Sequence, residues 1–376
     1  MKEQWDELPH SFRIPAPVRG VMYAFILLLF AVAVFQSFQR QAAPVQAAEI
    51  EEQAAVQAAF VGTRYLVPLG NAVGIKLFAD GVMVVGLTEI ETKNGVCCPA
   101  ADCGLLEGDM ITYVGSEKLD SASELRELLQ AQSGEETTLR VVRAGKQMQF
   151  SAQTVCAASG AWQLGAWVRD SMAGIGTLTF YDPDSGVFGA LGHGITDIDT
   201  ALLMPLSSGA IMGAEVVDVK KGAEGAPGEL HGQFDLTKDL GTLYGNSACG
   251  IFGTLADVPE SQKALPAGGR GYARAGKATI LTTIDGTEVR EYDVEITKIY
   301  SGDKAGTRNL AIRVTDPELL AATGGIVQGM SGSPIIQNGR LIGAVTHVMV
   351  SDPQCGYGVF IETMLEGACL EERATA

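Results

Sequence analysis

The stretch Gly329-Met330-Ser331-Gly332-Ser333-Pro334 sets a serine between two glycines, and a hairpin in outline follows it. Ile335-Ile336 is a short β-branched run, Asn338-Gly339 a tight-turn pair, and Leu341-Ile342-Gly343-Ala344-Val345 a second apolar run. Glycines on either side of Ser331 permit a backbone turn closed to most residues. Such a turn presents a hydroxyl and aims nearby N–H groups at one point, as attack on a carbonyl carbon requires. The plain alternative is a glycine-rich hairpin holding a buried serine.

A serine nucleophile needs a base, and the chain has four histidines. His10 precedes a long apolar run. His193, in Gly189-Ala190-Leu191-Gly192-His193-Gly194-Ile195, follows an expected strand and has small neighbours on its approach. It precedes the serine by a full subdomain, the order used by two-barrel peptidases. His231, in Leu230-His231-Gly232, reads as a loop residue. His347 lies on the strand after the serine and reads either as a substrate-pocket residue or as an ordinary strand histidine. Many aspartates lie between His193 and Ser331, and spacing does not choose an orienting acid among them. Asp197 and Asp199 beside His193 make a weak metal pattern. Ser247 and Cys249 are rival nucleophiles by chemistry, in surroundings that read as a glycine-rich β segment.

Length and composition frame these motifs. A chain of 376 residues accommodates two domains and a further segment. With 47% hydrophobic and 19% charged residues it is no disordered chain, and its 46 glycines suit a mainly β protein with many turns. The net charge of -17 argues against a nucleic-acid partner. Seven cysteines include a cluster, Cys97, Cys98 and Cys103, whose spacing is wrong for zinc. A local disulfide from Cys97 or Cys98 to Cys103 is expected in an oxidising compartment. No metal or organic cofactor is called for.

Between Arg19 and Arg40 no charged residue occurs, and Val21–Phe35 is nearly all apolar. With its flanks this run reaches the ~20 residues of a membrane-spanning helix. Lys2, Arg13 and Arg19 on its N-terminal side place that end in the cytoplasm. The expected order is a cytoplasmic segment (1–20), an anchor (21–39) and a linker rich in Ala, Gln and Glu (40–61). Val45-Gln46-Ala47 is the rival reading, a signal-peptide cleavage site.

From 62 to 153 short strands surround one helix. Val73-Gly74-Ile75-Lys76-Leu77 alternates, Ala79-Asp80-Gly81 reads as a turn, and Val82–Val85 continues. Ser121-Ala122-Ser123-Glu124 is a capping box before Leu125, Leu128 and Leu129, and a hairpin is expected around Gly145. With G-L-x-x-G-D-x-I at Gly104–Ile111, this region resembles a PDZ domain. The resemblance implies a peptide that adds a strand to the sheet, with its terminus held at Val73, Gly74 and Ile75.

The order of motifs around Ser331 resembles the nucleophile region of chymotrypsin-like peptidases. It implies a double β-barrel from 154 to 372, with an oxyanion hole formed by the N–H groups of Gly329 and Ser331. More specifically, Trp167–Glu362 resembles the SpoIVB peptidases of endospore-forming bacteria. The resemblance is carried by Ala173-Gly174-Ile175-Gly176-Thr177, Leu191–Ile195, Asn246-Ser247-Ala248-Cys249-Gly250-Ile251 and Thr323–Tyr357. It implies a triad of His193, Asp316 and Ser331. It also implies a regulatory serine endopeptidase of sporulation, anchored in the forespore membrane and facing the intermembrane space. Its expected partner is a membrane protein that restrains an intramembrane protease; cleavage would release processing of a late sigma factor. Self-cleavage near the linker is expected too. The alternatives are a PDZ-containing quality-control peptidase and a non-catalytic PDZ scaffold.

Overall fold

Residues 64–256, 263–300 and 306–375 are described in the computed structural model of the chain. The expected anchor and linker lie outside them. Among the described residues no helix is long and apolar enough to cross a membrane.

Strand β1 (Ala72–Leu87) is sixteen residues long and serves two modules. Ala79-Asp80-Gly81 does not end it, contrary to the sequence reading. Gly81 takes φ +114°, and a Cβ there would lie 2.5 Å from the Ile111 carbonyl oxygen. The glycine admits the neighbouring backbone, and the strand runs on although residues 79–81 have no ladder partner.

The second half of β1 joins an α+β module. It contains β2 (Met110–Val114), helix α1 (Ala122–Gln132), β3 (Glu136–Arg143) and β4 (Lys146–Gln153). The strands pair in the order β1-β2-β3-β4. The capping box forms: the Ser121 side chain accepts from the Glu124 N–H, and the Glu124 carboxylate accepts from the Asp120 N–H. Leu125 and Leu129 are buried with Val82, Ile111, Leu139 and Val141. Ala144 (φ 48°) and Gly145 (φ 76°) close the β3–β4 hairpin with two left-handed residues. In the G-L-x-x-G-D turn, Asp109 is fully buried. It accepts the Leu106 N–H at 2.9 Å and two Arg143 bonds at 2.6 Å, tying the turn to β3.

Strand β5 (Ala166–Tyr181) returns beside β1, its residues 166–177 running from Leu87 back to Ala72. Ala166–Arg169 lie opposite Leu87–Met83; after a register shift, Ser171–Thr177 lie opposite Phe78–Ala72. The chain continues through β6 (Val187–Ala190), β7 (Ser208–Lys220), β8 (Glu229–Ser247) and β9 (Gly250–Leu255). Successive pairings β1-β5-β6-β9-β8-β7 return to β1 and make a ring of strands. The expected domain boundary at 153/154 is crossed by this pairing, because residues 72–78 form one wall of the ring.

A second, closed barrel is built from β10 (Gly276–Thr282), β11 (Arg290–Ile299), β12 (Leu310–Val314), β13 (Pro334–Gln337), β14 (Arg340–Val348) and β15 (Cys355–Phe360). Its order is β10-β11-β12-β15-β14-β13, closing on β10. Ile280, Val294, Ile312, Ile335, Val345 and Phe360 fill the interior, the inward half of each strand's alternation. Helix α2 (Pro317–Thr323) precedes the serine loop. Helix α3 (Ile361–Thr375) buries Met364 and Leu365 against Phe252.

The expected disulfide is not present. Among the described residues no cysteines are bonded to each other; Cys98 Sγ donates to the Gly165 carbonyl and Cys103 Sγ to the Ala100 carbonyl.

Candidate active site

The serine loop is braced from both rings. Gly329 and Gly332 take φ of +99° and +100°. A Cβ on Gly332 would collide with the Thr177 carbonyl oxygen and lie 2.6 Å from the Leu191 nitrogen, so only glycine lets the loop sit against β5. Buried Thr177 grips the loop twice: its N–H donates to the Ser331 carbonyl at 3.0 Å and its Oγ1 to the Gly329 carbonyl at 2.7 Å. On the other side, the Gly332 N–H donates to the Val345 carbonyl at 2.8 Å. The N–H groups of Met330 and Ser333 are also bonded, to the Val327 and Met330 carbonyls. Among the described residues, those of Gly329 and Ser331 meet no backbone acceptor. They are the pair the sequence reading assigned to an oxyanion hole.

His193 lies in the turn after β6. Its Nδ1 is 2.9 Å from the Gly194 carbonyl oxygen. A carbonyl only accepts, so Nδ1 carries the proton and Nε2 keeps its lone pair. Burial pushes the His193 pKa below the ordinary histidine value, against the opposing pull of the Gly194 bond. The ring of His347 stands 4.8 Å away, tilted by 34°. Burial first, then the charges of His193 and Arg308, bring its pKa down to about 4. Both imidazoles are therefore neutral near pH 7.

His193, Gly329, Ser331 and His347 line one cleft of about 480 Å³, walled by apolar residues including Ile75, Ile175, Val327 and Val348. In this structure the Ser331 hydroxyl donates to the Thr346 carbonyl at 2.6 Å. It is not hydrogen-bonded to either imidazole.

Other sequence-predicted residues sit elsewhere. Asp316 is the N-cap of α2: one carboxylate oxygen accepts from the Glu318 and Leu319 N–H groups, and the other from the Asp293 N–H. It does not line the cleft. Val73, Gly74 and Ile75 are not a loop. They are the second to fourth residues of β1, paired with Gly176–Gly174 on one edge and Gly213–Ile211 on the other, so their backbone is not open to a peptide. Ile75 is instead a wall of the catalytic cleft. In the α+β module, the β1 edge beside α1 is taken by the chain itself. Ala166–Arg169 pair there, Ala166 and Val168 pack against the core containing Leu125 and Leu129, and the Ala122 N–H donates to Asp170.

Asp197 is fully buried and ion-paired to Arg169, which also holds Asp199 at 2.9 Å; the pair is a loop anchor. His231 is a half-exposed residue of β8 facing Asp218 and Glu229 at 3.6 Å, outside the cleft. Ser247 and Cys249 face each other at 3.3 Å in the β8–β9 turn, also outside it. Sequence reasoning assigned no role to Thr177, Thr346 or Asn246. All three lie in stretches carrying the family resemblance, the one signal that pointed toward them.

A braced serine sharing a cleft with a neutral imidazole is equipped for acyl transfer, and with its α+β module the chain falls in the class of PDZ-bearing serine peptidases. Residues 160–365 match the family described as SpoIVB peptidase S55, and the chain belongs to that family. Residues 95–143 match a PDZ domain. No curated protein matches the chain. Among solved structures it is similar to the PDZ domain of the SdrC-like protein Lmo2051 from Listeria monocytogenes, at 23% identity and a TM-score of 0.19, covering 24% of this chain and 87% of that one. It is also similar to the active form of the Rv3671c protease from M. tuberculosis, at 16% identity and a TM-score of 0.30, covering 53% and 74%. The inactive form of that protease gives 16% identity and a TM-score of 0.29, covering 52% and 83%.

Proposed function

We propose that Ser331 attacks the scissile carbonyl of a protein substrate, that His193 Nε2 takes its proton and passes it to the leaving amine, and that the Gly329 and Ser331 N–H groups hold the oxyanion. The observation carrying this reading is the single cleft shared by the serine loop and a histidine whose Nε2 is unprotonated. The catalytic form has the Ser331 hydroxyl turned away from Thr346. The two strand rings are read as a chymotrypsin-like pair of barrels with the cleft between them.

On the family resemblance, the substrate is the extracytoplasmic region of a membrane partner that restrains an intramembrane protease. Cleavage then releases late sigma-factor processing during sporulation. An anchor at 21–39 holds the enzyme beside that partner and raises its local concentration. The PDZ module supplies affinity for a peptide segment. A strand added in trans replaces the Ala166–Arg169 pairing or uses the outer edge of β4, which ends the sheet path.

The test is incubation of wild type and Ser331→Ala with candidate partner ectodomains, followed by mass mapping of fragments. Wild type yields defined fragments and the variant none. Cleavage by Ser331→Ala at the wild-type rate would remove the proposal. The same variant in cells reads self-cleavage: it stays full length where wild type is shortened near the linker.

A further inference from the structure

Asn246 is the penultimate residue of β8, just before the turn into β9. It is 7% exposed, and its side chain is committed to the segment after His193. Its Oδ1 accepts the Ile195 N–H at 2.8 Å; its Nδ2 donates to the Ile195 carbonyl at 3.0 Å and the Met204 carbonyl at 2.8 Å. These partners fix the orientation of the amide, because the flipped group would set NH₂ against an N–H and oxygen against two carbonyls.

The Ile195 N–H belongs to the same planar peptide unit as the Gly194 carbonyl. That carbonyl accepts the proton on His193 Nδ1. Turning the peptide plane would move both ends together. Gly194 is also packed against Leu203, and a Cβ on it would lie 2.5 Å from the Ser247 carbonyl oxygen, so this peptide is seated directly on the β8–β9 turn. Among the described residues no carboxylate lines the cleft, and Asp316 is occupied as a helix cap. A triad would seat an anion on Nδ1. Here a peptide carbonyl fills that position.

We propose that Asn246 is the positioning residue of this active site. Acting through the Gly194–Ile195 peptide, it holds His193 in the Nδ1–H tautomer and leaves Nε2 free for the serine's proton. The proposal rests on the Ser331–His193 reading above, and the controls separate the two.

The experiment measures inactivation of the full chain by a fluorophosphonate, resolved into kinact and KI, across pH 5–8 and normalised to folded protein. Asn246→Leu keeps the approximate size and removes all three bonds. It is expected to lower kinact by at least about ten-fold with KI within about two-fold. Asn246→Asp keeps the acceptor, but its ionised form faces the Ile195 and Met204 carbonyls. Its kinact relative to wild type is expected to fall at least about ten-fold as pH rises from 5 to 8, since ionisation next to carbonyl oxygens is disfavoured and distorts the loop. A purely structural asparagine would lower the melting temperature and leave kinact per folded molecule and its pH profile unchanged. Folded Asn246→Leu reacting within two-fold of wild type overturns the proposal. Should that variant not fold, a pH-independent ratio for Asn246→Asp overturns it. Ser331→Ala and His193→Ala are run alongside: labelling that survives in both removes the catalytic reading itself.

Discussion

Asp316 is where two mechanisms predict opposite outcomes. As the N-cap of α2, it accepts bonds at 2.9 and 3.0 Å from the Glu318 and Leu319 N–H groups, and one at 3.3 Å from the Asp293 N–H. Asp316→Ala removes the cap, costing ~1 kcal/mol of stability. The lost bond from Asp293 adds ~0.5–1 kcal/mol. A total near 2 kcal/mol corresponds to a melting shift of roughly 4–8 °C. Asn caps as well as Asp, but its amide nitrogen cannot accept from the Asp293 N–H, so Asp316→Asn should lose only that ~0.5–1 kcal/mol, a melting shift of roughly 1–4 °C. Neither change touches the cleft, so fluorophosphonate reactivity per folded molecule should stay within about three-fold for both. If Asp316 were the triad acid, Asp316→Asn would be the damaging change, losing on the order of 10⁴-fold, or ~5 kcal/mol on the barrier. The assay pairs a thermal melt with the labelling rate on the same sample. A well-folded Asp316→Asn that loses a thousand-fold or more would refute the cap assignment and restore the acid.

Three further outcomes follow from the geometry. Gly332→Ala should abolish labelling although Ser331 is intact, because its φ of +100° and the Thr177 carbonyl both exclude a Cβ; wild-type labelling would show that the serine loop is not seated as described. For His347, the folded pKa of about 4 lies below the ordinary 6.5, so protonation favours unfolding. Stability should thus fall as pH drops from 6.5 towards 4 and level off below, and melts of His347→Gln should fall less over that window; parallel curves would contradict the burial argument. Gly74→Trp should destabilise the first ring, since even a Cβ there lies 2.6 Å from Phe234 and 2.8 Å from Met212. Overpacking of this kind costs ~1–3 kcal/mol. A normal melt combined with selective loss of protein cleavage would instead return Gly74 to a peptide-binding role.

The sequence by itself determined the features governed by neighbours along the chain. Glycine at 329 and 332 announced a turn with special backbone angles, and that is how Ser331 is presented. The Ser121–Glu124 box started a helix with Leu125 and Leu129 buried, and the turn at Gly145 closed its hairpin, because capping and tight turns depend on a few adjacent residues. Tertiary structure decided which strands meet. A period-2 pattern records which face of a strand is covered and says nothing of which strand lies beside it. Val73-Gly74-Ile75 therefore looked like a module's loop and became a ring wall, once β5 and β7 paired with it from 99 or more residues away. Asp316 carried both a cap signature and a family match; tertiary structure adds the cap bonds and a carboxylate outside the cleft lining. Asn246 reaches the histidine's peptide across 51 residues. Hydrogen bonds closed over such distances are set by how two strand ends are brought together in the ring, and no local pattern in the chain encodes that meeting.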